Sequence, residues 1–169
     1  EVIVMESDYQ SLFQVRLANY DDIPAIMNIT REAFVKYQQM SGVEKLAALE
    51  ESYNDVKKDI DTKVVLLALS DGEPVGSVRV EVFPDKTAYL SRFALKVTSQ
   101  NNGICKSIMN LVDKIMVKKG VTQIQLHTGS KITSLIRFYY GRGFYIDSTD
   151  KSRGYVRALL IKEYQKKDC

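Results

Sequence analysis

The segment from Leu95 to Lys106 constrains the fold more than any other part of the chain. It begins as the apolar end of a strand, continues through a polar turn and becomes a helix at Gly103. The first turn of a helix leaves backbone N–H groups without internal partners, and the helix dipole favours negative charge there. A strand that leads through such a turn into a helix therefore predicts an α/β protein with a phosphate site at the helix start.

Length and composition are those of an ordinary single-domain protein. The chain has 169 residues, of which 45% are hydrophobic and 27% charged, so it can bury a core of its own. We expect one domain over residues 1–169 with a short N-terminal extension at residues 1–13. The longest apolar run, residues 64–69, is too short to span a bilayer, and residues 1–12 lack the pattern of a signal peptide.

Charge and cysteine content exclude several classes of function. The formal net charge of +3 is too small to indicate a nucleic-acid partner, and the lysines at 114, 118 and 119 fall at a predicted helix end, where they complement the dipole. Two cysteines, Cys105 and Cys169, make no disulfide framework, so we expect a reducing, cytoplasmic location and no membrane partner. No His/Cys/Asp cluster has ligand spacing, so no metal is expected.

The hydrophobic pattern predicts the order of the elements. A strand, two helices and three closely spaced strands come first, which favours an antiparallel meander. Tyr89, Phe93, Leu95 and Val97 are predicted on one face of its last strand. The strand–helix–strand unit at residues 89–127 implies one parallel pair. We therefore predict an α/β fold with a mixed, mostly antiparallel sheet of about seven strands flanked by about four helices. The predicted strands are residues 14–18, 64–69, 77–83, 89–97, 123–127, 144–148 and 155–161, and the helices are residues 23–37, 46–60, 103–119 and 133–139.

Two common phosphate motifs are absent. The sequence has no G-x-x-x-x-G-K-[ST], so a P-loop is not expected. The glycines Gly141 and Gly143 follow a predicted helix rather than a strand, so they make no dinucleotide fingerprint.

Two other motifs resemble the signatures of the GCN5-related N-acetyltransferase (GNAT) superfamily. Residues 100–105 match its acyl-CoA motif, Q/R-x-x-G-x-G/A, except that Cys105 stands in the last place. Residues 137–144 resemble the second signature, F-Y-x-x-x-G-F. The spacing of the motifs and the element order also fit, so the resemblance covers almost the whole chain.

The resemblance implies a single-domain enzyme that moves an acetyl group from acetyl-CoA to a primary amine of a small molecule or peptide, by direct attack in a ternary complex. Tyr139 would protonate the leaving CoA thiolate, with its neighbour Tyr140 as the alternative. The N–H of Leu95 would polarise the thioester carbonyl, as in an oxyanion hole. The residues implied in cofactor binding are Leu95, Lys96, Val97, Gln100, Asn101, Asn102, Gly103, Ile104, Cys105 and Lys106.

The chain departs from the family pattern in two places. Ile132 stands where many relatives carry an asparagine, so Ser130, Thr133 and Ser134 are alternatives for that contact with CoA. Cys105 has two interpretations. A thiol near a helix N-terminus can have a depressed pKa and be reactive, or it can be a small residue tolerated in place of glycine or alanine.

The group that removes the proton of the amine is not marked by a motif. Glu81 is our first candidate, because it lies on the strand beside the predicted CoA strand, out of phase with the valines. The second candidate is His127, at a strand end. The third is Glu32, on the polar side of the first helix. For Glu81 a solvent-facing role is the alternative, and for His127 a structural one.

The acceptor is the part of the function that the sequence defines least. Acidic and basic residues are mixed over residues 44–58, where the acids would attract a cationic amine or simply form a solvated helix face. Homodimers are common in the family, so a homodimer and a monomer are both open. Two other functions compete with the enzyme: a non-catalytic acyl-CoA-binding module, and an interaction protein that uses the fold as a scaffold.

Overall fold

The computed structural model describes residues 2–6, 12–96 and 103–165. Four of the predicted CoA-binding residues, Val97, Gln100, Asn101 and Asn102, lie outside these ranges.

The described residues form one eight-stranded sheet and four α-helices. The strand order is β1-β2-β3-β4-β5-β6-β8-β7, and every neighbouring pair is antiparallel except β5 and β6. The predicted fold class is therefore confirmed. The strands are β1 (Val2–Glu6), β2 (Leu12–Leu17), β3 (Val64–Ser70), β4 (Glu73–Val82), β5 (Thr87–Leu95), β6 (Gln123–Gly129), β7 (Tyr145–Asp150) and β8 (Arg157–Glu163), and the helices are α1 (Ile23–Ser41), α2 (Tyr53–Thr62), α3 (Ile104–Lys118) and α4 (Thr133–Gly141).

Two elements differ from the sequence prediction. β1 lies within residues 1–13, where we expected an extension, and it pairs with β2 over its full length. Its V-I-V-M sequence is rich in β-branched residues, which favour a strand once a partner edge exists. The second helix begins at Tyr53 rather than near residue 46, because Ser52 and Asp55 form a capping box that starts a new helix there.

The sheet separates two apolar clusters. On the face covered by α3 and α4, called the α3 face below, residues such as Ile108 and Val80 are fully buried. On the face covered by α1 and α2, called the α1 face, Ile26 and Leu67 are fully buried. β3 is buried on both faces, as its continuous apolar run predicted. Within the described part of the chain, no helix is long and apolar enough to cross a membrane.

A β-bulge in β5 changes which residues share a face. Ser77 pairs with Ala94 and Arg79 with Ser91, so two residues of β5 oppose the single residue between Ser77 and Arg79, and Arg92 takes a positive φ of 51°. The extra residue reverses the alternation along the strand. The prediction that Tyr89, Phe93 and Leu95 share a face is therefore wrong: Phe93 and Leu95 pack in the α3-face cluster, whereas Tyr89 lies on the α1 face against His127.

Candidate active site

The parallel strands β5 and β6 pair along a short stretch and then separate. Thr87–Tyr89 pair with Gln123–Gln125, and among the described residues β5 and β6 do not pair with each other beyond this stretch. β5 runs on to Leu95 and β6 to Gly129. The sheet therefore contains an opening between the carboxyl-terminal halves of two neighbouring strands, which is where ligands bind in many open α/β sheets.

The backbone of β5 directs hydrogen-bonding groups toward this opening. The N–H of Lys96 donates to the carbonyl of Val75 on β4, at 2.8 Å. In an antiparallel ladder, successive residues direct their N–H groups to opposite edges. The N–H of Leu95 therefore points away from β4 and toward the side of β6, which is the direction that the predicted oxyanion-hole role requires.

α3 begins beside the opening, at the described end of the predicted phosphate turn. Gly103 precedes the helix with φ 73°, a left-handed conformation that favours glycine. A side chain there would meet no heavy atom within 4 Å, so the backbone conformation, not space, requires the glycine. Ile104 is buried beneath the helix start, while Lys106 is exposed. The orphan N–H groups of this first turn are available to an anion.

Tyr139 is buried near the start of α3. Its ring packs between Phe138 and Phe144, with centroids 5.3 and 5.5 Å away, and its side chain is 6% exposed. Burial raises the pKa of Tyr139 far above its usual value, and the neighbouring Cys105 and Tyr37 raise it further. The hydroxyl therefore keeps its proton at any physiological pH and is available as a donor.

Tyr140 has a different environment, which separates the two tyrosines that the sequence left open. It is 49% exposed, and its hydroxyl accepts a hydrogen bond from the N–H of Ile146 at 3.1 Å. Tyr140 therefore faces β7, and the geometry favours Tyr139 as the acid.

Tyr37 is a site residue that the sequence analysis missed. It projects from α1 and its hydroxyl accepts a hydrogen bond from the N–H of Gly129 at 2.9 Å, at the carboxyl end of β6. The same hydroxyl lies 3.4 Å from that of Tyr155, in the loop before β8. The sequence placed Tyr37 only at the end of the helix predicted at residues 23–37. Nothing local in the sequence indicates a contact with a residue 92 positions away.

His127 and Tyr89 form a hydrogen-bonded pair where β5 and β6 begin to separate. The Tyr89 hydroxyl lies 2.6 Å from Nδ1 of His127. Burial lowers the pKa of His127 below its usual 6.5, and the charges of Arg157 and Arg153 lower it further against the opposing effect of Asp150. The imidazole is therefore neutral at pH 7 and able to accept a proton.

Glu81 lies opposite Tyr89 in the register of β4 and β5 and is half-buried on the α1 face. From Tyr89 to Leu95 is six positions, up to about 20 Å along a strand. A general base needs to reach the amine directly or through one water. The structure thus does not bring Glu81 next to Leu95, and His127 lies two positions further along the sheet toward it. Glu32 is exposed on α1.

The two departures from the family pattern are both apolar in character. Burial raises the pKa of Cys105 to about 11, which disfavours the reactive-thiol interpretation and favours a tolerated small residue. Ile132 is buried just before α4, and a side chain added at Gly129 would lie 3.1 Å from its Cδ1 atom. Thr133 and Ser134, two of the alternatives for the asparagine contact, are exposed.

A buried ion cluster lies beneath the α1 face. Arg79 is 1% exposed and makes a bidentate pair with Glu51 at 2.6 and 2.7 Å, together with a 3.0 Å bond to Asp59 of α2. Arg92, at the bulge, approaches Glu51 at 3.5 Å. The cluster ties the segment before α2 to the bulge of β5. The sequence placed Arg79 only within the predicted strand at residues 77–83 and did not indicate these partners.

Comparison with known proteins identifies the family. Residues 23–144 match the acetyltransferase (GNAT) family. A spermidine N(1)-acetyltransferase of Thermoplasma acidophilum is 23% identical over an alignment of 149 positions, which covers 82% of this chain and 92% of that protein. The PaiA N-acetyltransferase of the same organism, solved in complex with coenzyme A, has a TM-score of 0.79 at 22% identity and covers 90% of this chain and 99% of its own.

A third relative shares the fold at lower identity. The ribosomal-protein-S18-alanine N-acetyltransferase of Escherichia coli superposes with a TM-score of 0.74 at 13% identity, covering 93% of this chain and 98% of its own. Because the family match spans most of the chain and contains α3, β6, α4 and the opening, this chain belongs to the acetyltransferase (GNAT) family, and the prediction of an N-acetyltransferase is confirmed.

Proposed function

We propose that this chain transfers an acetyl group from acetyl-CoA to the primary amine of a small molecule or peptide, by direct attack in a ternary complex. One observation carries the proposal: β5 and β6 separate beyond Tyr89, with the N–H of Leu95 directed toward the gap and Tyr139 buried near its end. Two relatives support it, since one is named a spermidine acetyltransferase and another was solved with coenzyme A.

The residues around the opening fit an extended, phosphate-bearing thiol ester. The free edge of β5 offers strand-like hydrogen bonds to the amides of a pantetheine arm. The start of α3, from Gly103 to Lys106, offers orphan N–H groups and a positive side chain to the pyrophosphate. We keep Val97, Gln100, Asn101 and Asn102 as the remaining proposed contacts. The thioester supplies an acyl carbon that is already activated for attack by an amine.

Three groups of the chain would serve the reaction. The N–H of Leu95 would hold the negative charge that develops on the carbonyl oxygen. Tyr139 would donate its proton to the leaving sulfur. For the proton of the amine, the register favours His127, which is neutral at pH 7 and held by Tyr89. Glu81 remains the alternative base and would need to act through ordered water.

A thiol-release assay with acetyl-CoA and a panel of amines tests the proposal, and the adjacent tyrosines give a matched pair of variants. We expect amine-dependent release of CoA by the wild type. Tyr139→Phe should lower kcat by about 10²- to 10⁴-fold, the range typical of general acid catalysis. Tyr140→Phe removes the same hydroxyl one position away and should leave kcat within about twofold, because that group faces β7.

The same assay separates the competing functions. Binding of CoA without release for any amine would replace the enzyme by an acyl-CoA-binding module. Absence of both binding and release would leave an interaction protein that uses the fold as a scaffold. Equal losses in Tyr139→Phe and Tyr140→Phe would overturn the assignment of the acid.

A further inference from the structure

Arg157 lies beside His127 at the carboxyl end of β6. It is the first residue of β8 and pairs with Gly129, while His127 pairs with Leu159 two positions on. Residues two apart on a strand share a face, so Arg157 and His127 extend from the same side of the sheet. Tyr37 reaches that side from α1, since it binds the N–H of Gly129. Arg157 therefore belongs to the α1 face, at the end where β5 and β6 separate.

The guanidinium of Arg157 has hydrogen-bonding capacity that the protein does not use. Its side chain is 15% exposed, and its one ion pair among the described residues, with Asp150, is long at 3.7 Å. Its Nε atom is buried and has no hydrogen-bond partner there. A guanidinium offers five N–H donors, and a buried donor without an acceptor destabilises the folded protein. An acceptor group from a ligand would relieve this destabilisation.

The carboxylates nearby already have donors. Asp150 accepts from the N–H and the hydroxyl of Ser152, at 3.1 and 2.6 Å, besides its contact with Arg157. Glu51 is held by Arg79 through two bonds. Glu81 is the remaining half-buried carboxylate, and it lies on β4, across Tyr89 from His127. The open capacity at the carboxyl end of β6 is thus that of a donor.

A second cation lies four positions before Arg157. Arg153, in the loop between β7 and β8, is exposed and has no ion pair within the described ranges. The charges of both Arg153 and Arg157 act on Tyr89 and on His127. The register thus places Arg157 beside the hydrogen-bonded pair proposed to receive the proton of the amine, and Arg153 adds a second positive charge in the adjoining loop.

We propose that the acceptor amine also carries an oxyanion group, a carboxylate or a phosphate, which Arg157 binds with the help of Arg153. The inference rests on the proposed function, because it concerns the acceptor of that reaction. Guanidinium groups bind carboxylate and phosphate through two parallel hydrogen bonds, which fix the orientation of the ligand. Such an anchor on β8 holds the amine of the acceptor beside His127. A polyamine, the substrate class in the name of one relative, has no group for this anchor.

Pairs of acceptors that differ in the acid group test the proposal by turnover. Lysine is compared with cadaverine, and O-phosphoethanolamine with ethanolamine, while spermidine represents a polycation. We expect the acid-bearing member of at least one pair to have a kcat/KM about tenfold or more above its partner, mainly through KM. The pair that shows the preference identifies the oxyanion. Higher kcat/KM for cadaverine and ethanolamine, or for spermidine, would overturn the proposal.

Substitution of the arginines shows whether they carry the preference. Arg157→Gln should bring the two members of the preferred pair to within about twofold of each other, because the anchor is lost. Arg153→Gln, at an exposed position that folding tolerates, should reduce the preference by a smaller factor. Lys118→Gln makes the same change of charge at the end of α3, on the opposite side of the sheet, and should leave the preference unchanged. An unchanged preference in both arginine variants would contradict the proposal.

A binding measurement separates failure of this inference from failure of the proposed function. His127 is the one histidine in the chain, so its imidazole C–H resonances report on this site alone. Lysine or O-phosphoethanolamine should shift these resonances saturably in the wild type and not in Arg157→Gln, whereas cadaverine should not. That result without any CoA release would refute the enzyme and retain the oxyanion site. CoA release without any such shift would refute the site and retain the enzyme.

Discussion

The two faces of the central sheet bury different kinds of residue. On the α3 face the buried cluster around Ile108 consists of apolar side chains and Tyr139, and the ion pair between Lys162 and Asp113 lies at its part-exposed edge. On the α1 face, Arg79 and Glu51 are buried together, and Tyr89 and His127 form a polar pair. Apolar cores tolerate many arrangements of similar volume, whereas buried charges require particular partners. The difference indicates that the α3 face tolerates substitution better, while the α1 face, where the acceptor is proposed to bind, depends on particular partners.

Removal of Glu51 should cause the largest loss of stability. Glu51→Ala leaves Arg79 buried with Asp59 as its remaining ion-pair partner, so we expect a loss of about 3–5 kcal/mol in the free energy of unfolding. Urea denaturation followed by circular dichroism measures it. Glu50→Ala is the matched control, because the Glu50 side chain is 58% exposed and should change stability by no more than about 0.5 kcal/mol. Similar losses in both variants would show that Glu51 in the buried ion cluster contributes no more to the free energy of unfolding than an exposed carboxylate.

A conservative change on the α3 face should cost less. Ile108 is fully buried, and Ile108→Val removes one methylene group, for an expected loss of about 0.5–1.5 kcal/mol. Ile108 packs in the same cluster as the side chain of Leu95, but the reaction is proposed to use only the backbone N–H of Leu95. Acetyl transfer should therefore continue at about the wild-type rate. Val117→Ala, on the exposed side of the same helix, controls for helix propensity. A loss of activity in Ile108→Val without a loss of stability would contradict the division between the faces.

The titration of His127 tests the environment of the polar pair on the α1 face. Burial, and then Arg157 and Arg153, lower its pKa below 6.5, while Asp150 opposes them. Because the unfolded chain then binds more protons, the free energy of unfolding should fall as pH drops from 6.5 to the folded pKa, and should stay constant above 6.5. If neutral His127 is the base, kcat/KM should fall as pH drops through the folded pKa.

Two measurements check this titration. The imidazole C–H resonance of the single histidine gives the folded pKa directly by NMR. The pH profile of His127→Gln should lose the limb that the NMR titration assigns to the imidazole. A folded pKa above 6.5 would contradict the buried, neutral imidazole.

The smallest effect is expected at Cys105. Because burial raises its pKa to about 11, the thiol should stay unmodified after mild peroxide, as mass spectrometry of the peptide that contains Cys105 would show. Cys105→Ala should then keep kcat/KM within about twofold of the wild type, as for a substitution that removes no required interaction. Oxidation of Cys105 under these conditions would restore the reactive interpretation.

Elements with a local signal could be predicted from the sequence. The helix predicted at residues 103–119 corresponds to α3, and Gly103 marked its start. Features that depend on distant partners could not. The bulge at Arg92 is defined by the register between β4 and β5, and the bond from Tyr37 to Gly129 joins positions 92 residues apart. Residue spacing along one strand or helix carries no information about such pairings.

The same limit applies to the candidate site. The family motifs led to Tyr139 and to the start of α3, because both lie at fixed offsets from glycines. Glu81 followed from its strand phase alone, and the register then placed it opposite Tyr89, away from Leu95. Arg157 has no motif, since its importance comes from a buried donor without a partner.

We propose that acetyl-CoA binds in the opening between β5 and β6. The amide resonance of Leu95 in protein labelled with ¹⁵N-leucine tests it most directly, with Leu17, exposed at the end of β2, as an internal control. Addition of coenzyme A should shift the Leu95 amide saturably and leave that of Leu17 in place. A Leu95 amide that does not move while coenzyme A is bound, or no binding at all, would contradict the claim.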